Sequence, residues 1–238
     1  MPQIFGLEHS IYVVISVTIA IAVLVCAKLF VKTEKLQEII MRSMGALLFI
    51  TILINRIVLV FEYDEPNWLK LITDTYCSTS SYVLGLALLC GKKNNNVLHF
   101  VWLIALGGGI ITTFAPNFIG QNPEFLYPPT IFGLMHHTLS AIVVGVMLEF
   151  GYVKITYKKW YCTLWGFLSY LSYGSFLMCV LDFGNPFYMT APAIDNTPFT
   201  AWVIAPIYIG IYALILLAIE LVRIYKKKKE LKNFIVIG

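Results

Sequence analysis

The chain has 238 residues, of which 59% are hydrophobic and only 13% are charged, with a formal net charge of +4 and a mean hydropathy of +0.79. Soluble domains are close to half apolar and a quarter charged, so this composition excludes a water-soluble enzyme, a disordered tail and a disulfide scaffold. The small positive charge is not typical of a nucleic-acid-binding protein, and the composition predicts one membrane domain over residues 1–238.

Seven apolar stretches are each long enough for a helix of about 20 residues, the length that crosses a bilayer. They cover roughly residues 11–31, 44–61, 69–90, 97–115, 131–150, 161–181 and 200–222. The third and sixth stretches are the most polar, since the third contains Asp74 and the sixth has a Ser/Tyr/Gly-rich middle. Runs such as Ile11–Val25 do not alternate as β-barrel strands do, so the predicted fold class is all-α, a seven-transmembrane-helix bundle.

Lysine and arginine are confined to alternate connections between the predicted spans. Fifteen of the 17 basic residues follow the first, third, fifth or seventh span, whereas the other connections contain mostly Asp and Glu. By the positive-inside rule, this pattern predicts an N-terminus outside and a C-terminus in the cytoplasm. The first span has no basic leader, so we interpret it as an uncleaved span of a multi-pass protein of the cell membrane.

Polar and ionisable side chains gather at the predicted outer ends of four spans. Each one costs roughly 2.5–3.5 kcal/mol inside a membrane, which makes it a functional candidate. The set comprises Asn55, Arg56, Asp74, Cys77, Ser78, Ser81, His136, His137, Asp182 and Asn185. The spacing from Asp74 to Ser81 predicts one shared helix face. His136 and His137 point about 100° apart on a helix, so we expect only one of them to face the bundle centre.

Each of these residues also has a structural explanation. Arg56 can reach the outer interface or pair with Asp74 or Asp182, and the serines can bond to helix carbonyls. Cys77 can be an ordinary core cysteine, as most of the five cysteines are expected to be, and no CxxC or zinc spacing predicts a metal site. These explanations must place unrelated residues at one depth by chance, and the shared depth favours a site.

The chemistry that suits this set is acyl transfer. A cysteine thiolate attacks an ester carbonyl, a histidine removes the thiol proton, and Ser, Asn or backbone donors hold the oxyanion. We therefore assign Cys77 and His137 as catalytic candidates, with no cofactor, and expect Arg56 to attract a lipid phosphate or to balance an acid. The supporting candidates are Asp74, Arg56, Asn55, Ser78, His136, Asp182 and Asn185.

Two connections and one glycine run add to this prediction. Residues 115–130 and 182–200 are rich in proline and long for a small bundle, which predicts either a lid over the site or stiff connectors. Gly107–Gly109 in the fourth span predict close helix contact or a local kink.

Several short motifs resemble those of a known family. They are Thr75-Tyr76-Cys77, His137-Thr138-Leu139, Asn185-Pro186-Phe187-Tyr188-Met189 and Pro198-Phe199-Thr200-Ala201-Trp202. Together they resemble the bacterial YwaF-like integral membrane proteins. That family is distantly similar to the eukaryotic ether-phospholipid transmembrane acyltransferase and to androgen-induced-type intramembrane hydrolases. The family's histidine before the cysteine has no counterpart here, and the eukaryotic relative places its cysteine one turn earlier, at Asp74.

The resemblance implies a helical bundle with a nucleophile on the third span and a histidine on the fifth. Its implied substrate is a membrane phospholipid or another acyl-lipid, which the protein would transfer or hydrolyse. A substrate-binding or transport protein that uses the same polar cluster as a ligand pocket is the alternative, and a structural partner is a third. A retinal protein is excluded because residues 200–222 contain no lysine. The sequence leaves the oligomeric state open.

Overall fold

The computed structural model describes residues 6–62, 64–116, 124–194 and 196–237, with side chains up to residue 226. Its seven α-helices are α1 (Leu7–Phe30), α2 (Glu34–Val60), α3 (Tyr76–Cys90), α4 (Asn96–Phe114), α5 (Pro128–Glu149), α6 (Tyr161–Leu181) and α7 (Ala201–Ile237). Three short 3₁₀ helices lie at Trp68–Leu71, Tyr157–Lys159 and Pro186–Tyr188, and the described residues contain no strand. The all-α prediction is therefore confirmed.

Six of the seven helices are long and apolar enough to cross a bilayer, and α3 is the exception. It has 15 residues, which corresponds to about 22 Å and is shorter than the roughly 30 Å of a bilayer core. The helices α1, α2 and α4–α7 therefore define a multi-pass membrane protein.

The predicted third span begins too early. We expected a helix from residue 69, but Trp68–Leu71 form a separate 3₁₀ helix and α3 begins at Tyr76. The break is local: Thr75 adopts an extended backbone, and its side chain accepts a hydrogen bond from the amide of Ser78, which starts the helix there. Asp74 consequently precedes the helix and does not share a helical face with Ser81.

The second helix begins ten residues before the predicted span at residue 44. Thr33 caps it by accepting from the amide of Leu36, and Glu34 occupies the first turn. Arg42 pairs with Glu38 at 2.8 Å, one turn apart, so this charged first part is a helix rather than a connection.

The connections that contain the basic residues meet at one end of the bundle. Arg42 of α2 donates to the carbonyl of Leu89, and Lys159 donates to the carbonyl of Asn94. At the opposite end, Asn55 of α2 donates to the carbonyl of Pro129, at the start of α5. The first, third and fifth connections thus lie at one end, and the opposite end is the one that the sequence predicts to face outward. Part of the predicted lid, residues 117–123 and Asp195, lies outside the described residues.

Candidate functional site at the start of α3

Cys77 is the second residue of α3, directly after the capping turn. Thr75 accepts from the amide of Ser78, and the carbonyl of Thr75 accepts from the amide of Thr79. Within the described residues, the amides of Tyr76 and Cys77 donate no hydrogen bond. A helix N-terminus with unused N–H groups favours negative charge close to it.

A serine bridge sets the relative level of α3 and α5. The Oγ atoms of Ser81 and Ser140 lie 2.8 Å apart, so one of the two hydroxyls donates to the other. Ser81 follows Cys77 by four residues and Ser140 follows His136 by four, and each serine hydroxyl also lies within bonding distance of that residue's carbonyl. Because both helices begin at the same end, Cys77 and His136 lie at one level across the α3–α5 interface.

The glycine run of α4 brings three other elements to this level. A Cβ at Gly107 would lie 3.1 Å from the hydroxyl of Tyr208 on α7, and one at Gly108 would lie 2.6 Å from Sγ of Cys77. A Cβ at Gly109 would lie 2.5 Å from the carbonyl oxygen of His137. The predicted close helix contact is therefore confirmed. Cys77 and the backbone of His137 flank successive residues of α4.

Both histidines are buried, although we expected only one of them to face the bundle centre. His136 is 3% exposed and His137 is 8% exposed. Their ring centroids lie 4.1 Å apart with the planes at 32°, and both rings interact electrostatically with Arg56 of α2. Rotation of the side chains toward each other overcomes the 100° offset of their backbone positions. Within the described residues, neither ring forms a hydrogen bond with the Cys77 thiol.

Tyrosines surround the thiol on its other sides. The hydroxyls of Tyr170, Tyr188 and Tyr208 interact electrostatically with Cys77, and Tyr170 also bonds to Oγ of Ser80 at 2.9 Å. Burial raises the pKa of Tyr188, which lies in the α6–α7 connection, so its phenol keeps its proton and remains a donor. Phe187 holds this connection against α3, since its amide donates to the carbonyl of Asp74 at 2.6 Å.

A charged cavity of about 320 Å³ lies beside this cluster at the same end. Its charged and amide side chains are Arg56, Asp74, Asp182, Lys70 and Asn67. Nη1 of Arg56 lies 3.8 Å from Oδ1 of Asp74, and its Nε is buried without a hydrogen-bond partner among the described residues. Arg56 therefore pairs with Asp74, which is one of the structural explanations given above. The pair does not involve Nε of the guanidinium.

The remaining candidates have structural roles of their own. Asn55 ties α2 to α5 through the carbonyl of Pro129, and the hydroxyl of Ser78 lies 2.6 Å from that of Thr75 in the cap of α3. Asp182 ends α6 with a left-handed backbone, φ 56°, and lines the charged cavity. Oδ1 of Asn185 accepts from the amides of residues 190 and 191, so this side chain shapes its own loop and does not contact Cys77.

Two aspects of the site escaped the sequence prediction. Tyr208 is one of two tyrosines in the apolar seventh span, and nothing in the sequence distinguishes it from an interfacial residue. Tyr170 belongs to the Ser/Tyr/Gly-rich middle of the sixth span, a polar stretch that the sequence prediction did not assign to the site. Among the described residues, no group of three His, Cys, Asp or Glu side chains is placed to hold a metal ion.

Helix number, apolar length and topology define the class as a polytopic helical membrane protein with a polar cluster at one end of its bundle. A family model described as the TMEM164 family matches residues 4–223. The chain therefore belongs to the TMEM164 family. No curated protein and no solved structure matches it.

Proposed function

We propose that the protein performs acyl chemistry on a membrane lipid ester, with Cys77 as the nucleophile and the histidine pair of α5 as the source of the base. The observation behind this proposal is the position of Cys77 in the first turn of α3, beside unused backbone amides and at the level of His136. The resemblance of the chain to the YwaF-like family also supports the proposal, because that resemblance implies a nucleophile on the third span and a histidine on the fifth.

The reaction follows from these groups. The histidine takes the thiol proton, and the Cys77 thiolate attacks the carbonyl carbon of the ester. The resulting oxyanion accepts hydrogen bonds from the amides of Tyr76 and Cys77, with tyrosine hydroxyls as further donors. Collapse breaks the C–O bond, the histidine returns its proton to the departing alcohol, and a thioester remains on Cys77. An alcohol or a water molecule then takes the acyl group and releases the thiol.

Arg56 has a separate role in the proposal. Arg56 is 8% exposed, lies beside the histidines and lines the open cavity, where its guanidinium can donate hydrogen bonds to the phosphate of a lipid. Asp74 then serves as its resting counter-ion. This separates head-group binding, at the charged cavity, from the acyl-transfer groups around Cys77.

Intact mass spectrometry tests the nucleophile directly. We would incubate the purified wild type, Cys77→Ser, His136→Gln and His137→Gln with defined diacyl phospholipids and measure each protein's mass. The matched control is Cys162→Ser, because Cys162 is a buried cysteine that lies on α6 outside the cluster. We expect an acyl adduct in the wild type and the control that hydroxylamine removes, and no adduct in Cys77→Ser.

The two histidine variants assign the base. Loss of the adduct in His137→Gln alone would support the family-derived assignment, whereas loss in His136→Gln alone would move the role to the neighbouring ring. An adduct that persists in Cys77→Ser, or the absence of both adduct and lysolipid in every variant, would refute the cysteine mechanism.

A second candidate function is ligand binding or transport. The charged cavity favours it, since its lining includes Arg56, Lys70, Asp74 and Asp182 and its volume is large enough for a small polar ligand. In that case Arg56→Gln would abolish saturable binding of the ligand, while Cys77→Ser would leave it unchanged. The proposed acyl chemistry requires the reverse dependence on Cys77.

A further inference from the structure

A second open cavity, of about 420 Å³, lies between α3 and α6. Helix packing leaves this side open, because α3 packs mainly against α2, α4 and α5, whereas α6 packs mainly against α4, the 3₁₀ helix at Pro186–Tyr188 and α7. The floor between α3 and α6 is formed by the hydrogen bond of Ser80 with Tyr170. We call this space the α3–α6 groove; its lining comprises Leu71, Ile72, Thr73, Thr79, Tyr82, Val83, Ser169, Tyr170 and Tyr173.

The hydroxyls of the groove bond mostly to one another or to backbone. Thr79 donates to the hydroxyl of Thr73 at 3.0 Å, Tyr173 also bonds to Thr73, and Ser169 donates to the carbonyl of Trp165. Because these polar atoms are satisfied within the protein, the groove presents mainly methyl groups, aliphatic side chains and aromatic rings. Such a lining favours a hydrocarbon occupant over a polar one.

The groove joins the charged cavity. Ile72 lines both spaces, and Thr73 in the groove is followed immediately by Asp74 in the charged cavity. On α3 the groove lining reaches Val83, about 10 Å along the axis from the start of the helix at Tyr76. The charged cavity is thus followed by a more apolar groove along the first half of α3.

We propose that the α3–α6 groove binds one hydrocarbon chain of the lipid whose phosphate lies beside Arg56, and that this lipid enters sideways between α3 and α6. The inference rests on the proposed function for the identity of the lipid as a substrate. The charge pattern supports this occupant: an unpartnered guanidinium nitrogen lies at one end, and a lining with satisfied polar groups extends from it. Tyr170, which forms the floor, also interacts electrostatically with Cys77, so one side chain links the groove to the proposed site.

Photocrosslinking tests the groove without requiring catalysis. The Cys77→Ser protein in lipid nanodiscs receives a lysophosphatidylcholine with a diazirine on its single chain, and the adducts are mapped after irradiation. We expect adducts concentrated on residues 79–83 and 169–173 that excess unlabelled lysophosphatidylcholine removes. Ser169→Trp fills the groove and should reduce these adducts to background. Leu168→Trp is the matched control, since Leu168 is the exposed neighbour that does not line the groove.

Val83→Trp provides a second obstruction from the α3 side in case Ser169→Trp fails to fold, as judged by its thermal transition. Adducts spread over all exposed faces of α6, or adducts that survive in a folded Ser169→Trp or Val83→Trp protein, would overturn the proposal. Competed adducts in the groove together with no acyl adduct on wild-type Cys77 would refute the acyl chemistry but support the chain site. The two proposals therefore fail separately.

Discussion

Alanine substitutions at Gly108 and Gly109 should have opposite effects although the two glycines are adjacent and both are buried on α4. The added methyl group of Gly109→Ala would lie 2.5 Å from the carbonyl oxygen of His137 and 3.0 Å from the amide nitrogen of Ala141. Both contacts are with the backbone of α5, which can give way only if the helices separate. In Gly108→Ala the nearest atom is Sγ of Cys77, at 2.6 Å, and a thiol can rotate away.

The magnitudes follow from two opposing contributions. Alanine in place of glycine stabilises a helix by about 1 kcal/mol, and overpacking costs about 1–3 kcal/mol. For Gly109→Ala the overpacking cost should dominate, so the protein should be less stable by up to about 2 kcal/mol. For Gly108→Ala the rotated thiol removes most of that cost, so the stability should be unchanged or slightly higher, while the thiol no longer points at α4.

Thermal unfolding in detergent and alkylation of Cys77 measure the two effects. Peptide mapping distinguishes Cys77 from the other four cysteines. We expect Gly109→Ala to lower the transition temperature and Gly108→Ala to change the alkylation rate of Cys77 at a normal transition temperature. If Gly109→Ala unfolds at the wild-type temperature, the close approach of α4 and α5 is wrong. If Gly108→Ala leaves the alkylation rate unchanged, the thiol does not contact Gly108.

Three further predictions concern polar contacts. Asp74→Asn should destabilise the protein by roughly 1–3 kcal/mol, because it leaves a buried guanidinium without its counter-ion. Arg56→Met should destabilise it less, because the carboxylate that remains is 39% exposed. Equal losses of stability in a denaturant titration would argue against the ion pair. A double-mutant cycle of Ser81→Ala and Ser140→Ala should give a coupling energy of about 0.6 kcal/mol, and additive costs would show that the two hydroxyls do not bond. Asn94 has a left-handed backbone, with φ 60°, and its side chain accepts two hydrogen bonds that both Asn94→Ala and Asn94→Gly would remove. Because only glycine adopts this backbone conformation without strain, Asn94→Ala should be less stable than Asn94→Gly by about 1–2 kcal/mol in thermal unfolding. The opposite order would refute the left-handed backbone.

Hydropathy predicted the helices well because an apolar run of bilayer length has few other folded forms. It failed at the start of α3, where the apolar residues of the 3₁₀ helix at Trp68–Leu71 were counted into the same span. The break at Thr75 depends on one side-chain hydrogen bond, which a sum over 20 residues does not detect. Local capping, rather than composition, fixed the position of Cys77 in the first turn.

The polar cluster was predicted as a set, but the arrangement of its members was not. A helical projection treats side chains as radial, and on that basis His136 and His137 should diverge. In the structure their rings turn toward each other and toward Arg56, since α2 and α3 both pack near this part of α5. Asn185 shares the predicted depth but bonds within its own loop, because an Asn side chain readily accepts from amides a few residues later.

The glycine run explains why the site forms at this level of the bundle. Successive helix positions point about 100° apart, so Gly107–Gly109 cover about 200° of the circumference of α4. Three elements can therefore approach one turn of α4 together: Tyr208 at the first glycine, Cys77 at the second and the backbone of His137 at the third. A side chain at any one of these positions would displace one of the three groups. The proposed chemistry thus depends on residues that contribute no functional group, and a search restricted to reactive side chains would overlook the helix that brings them together.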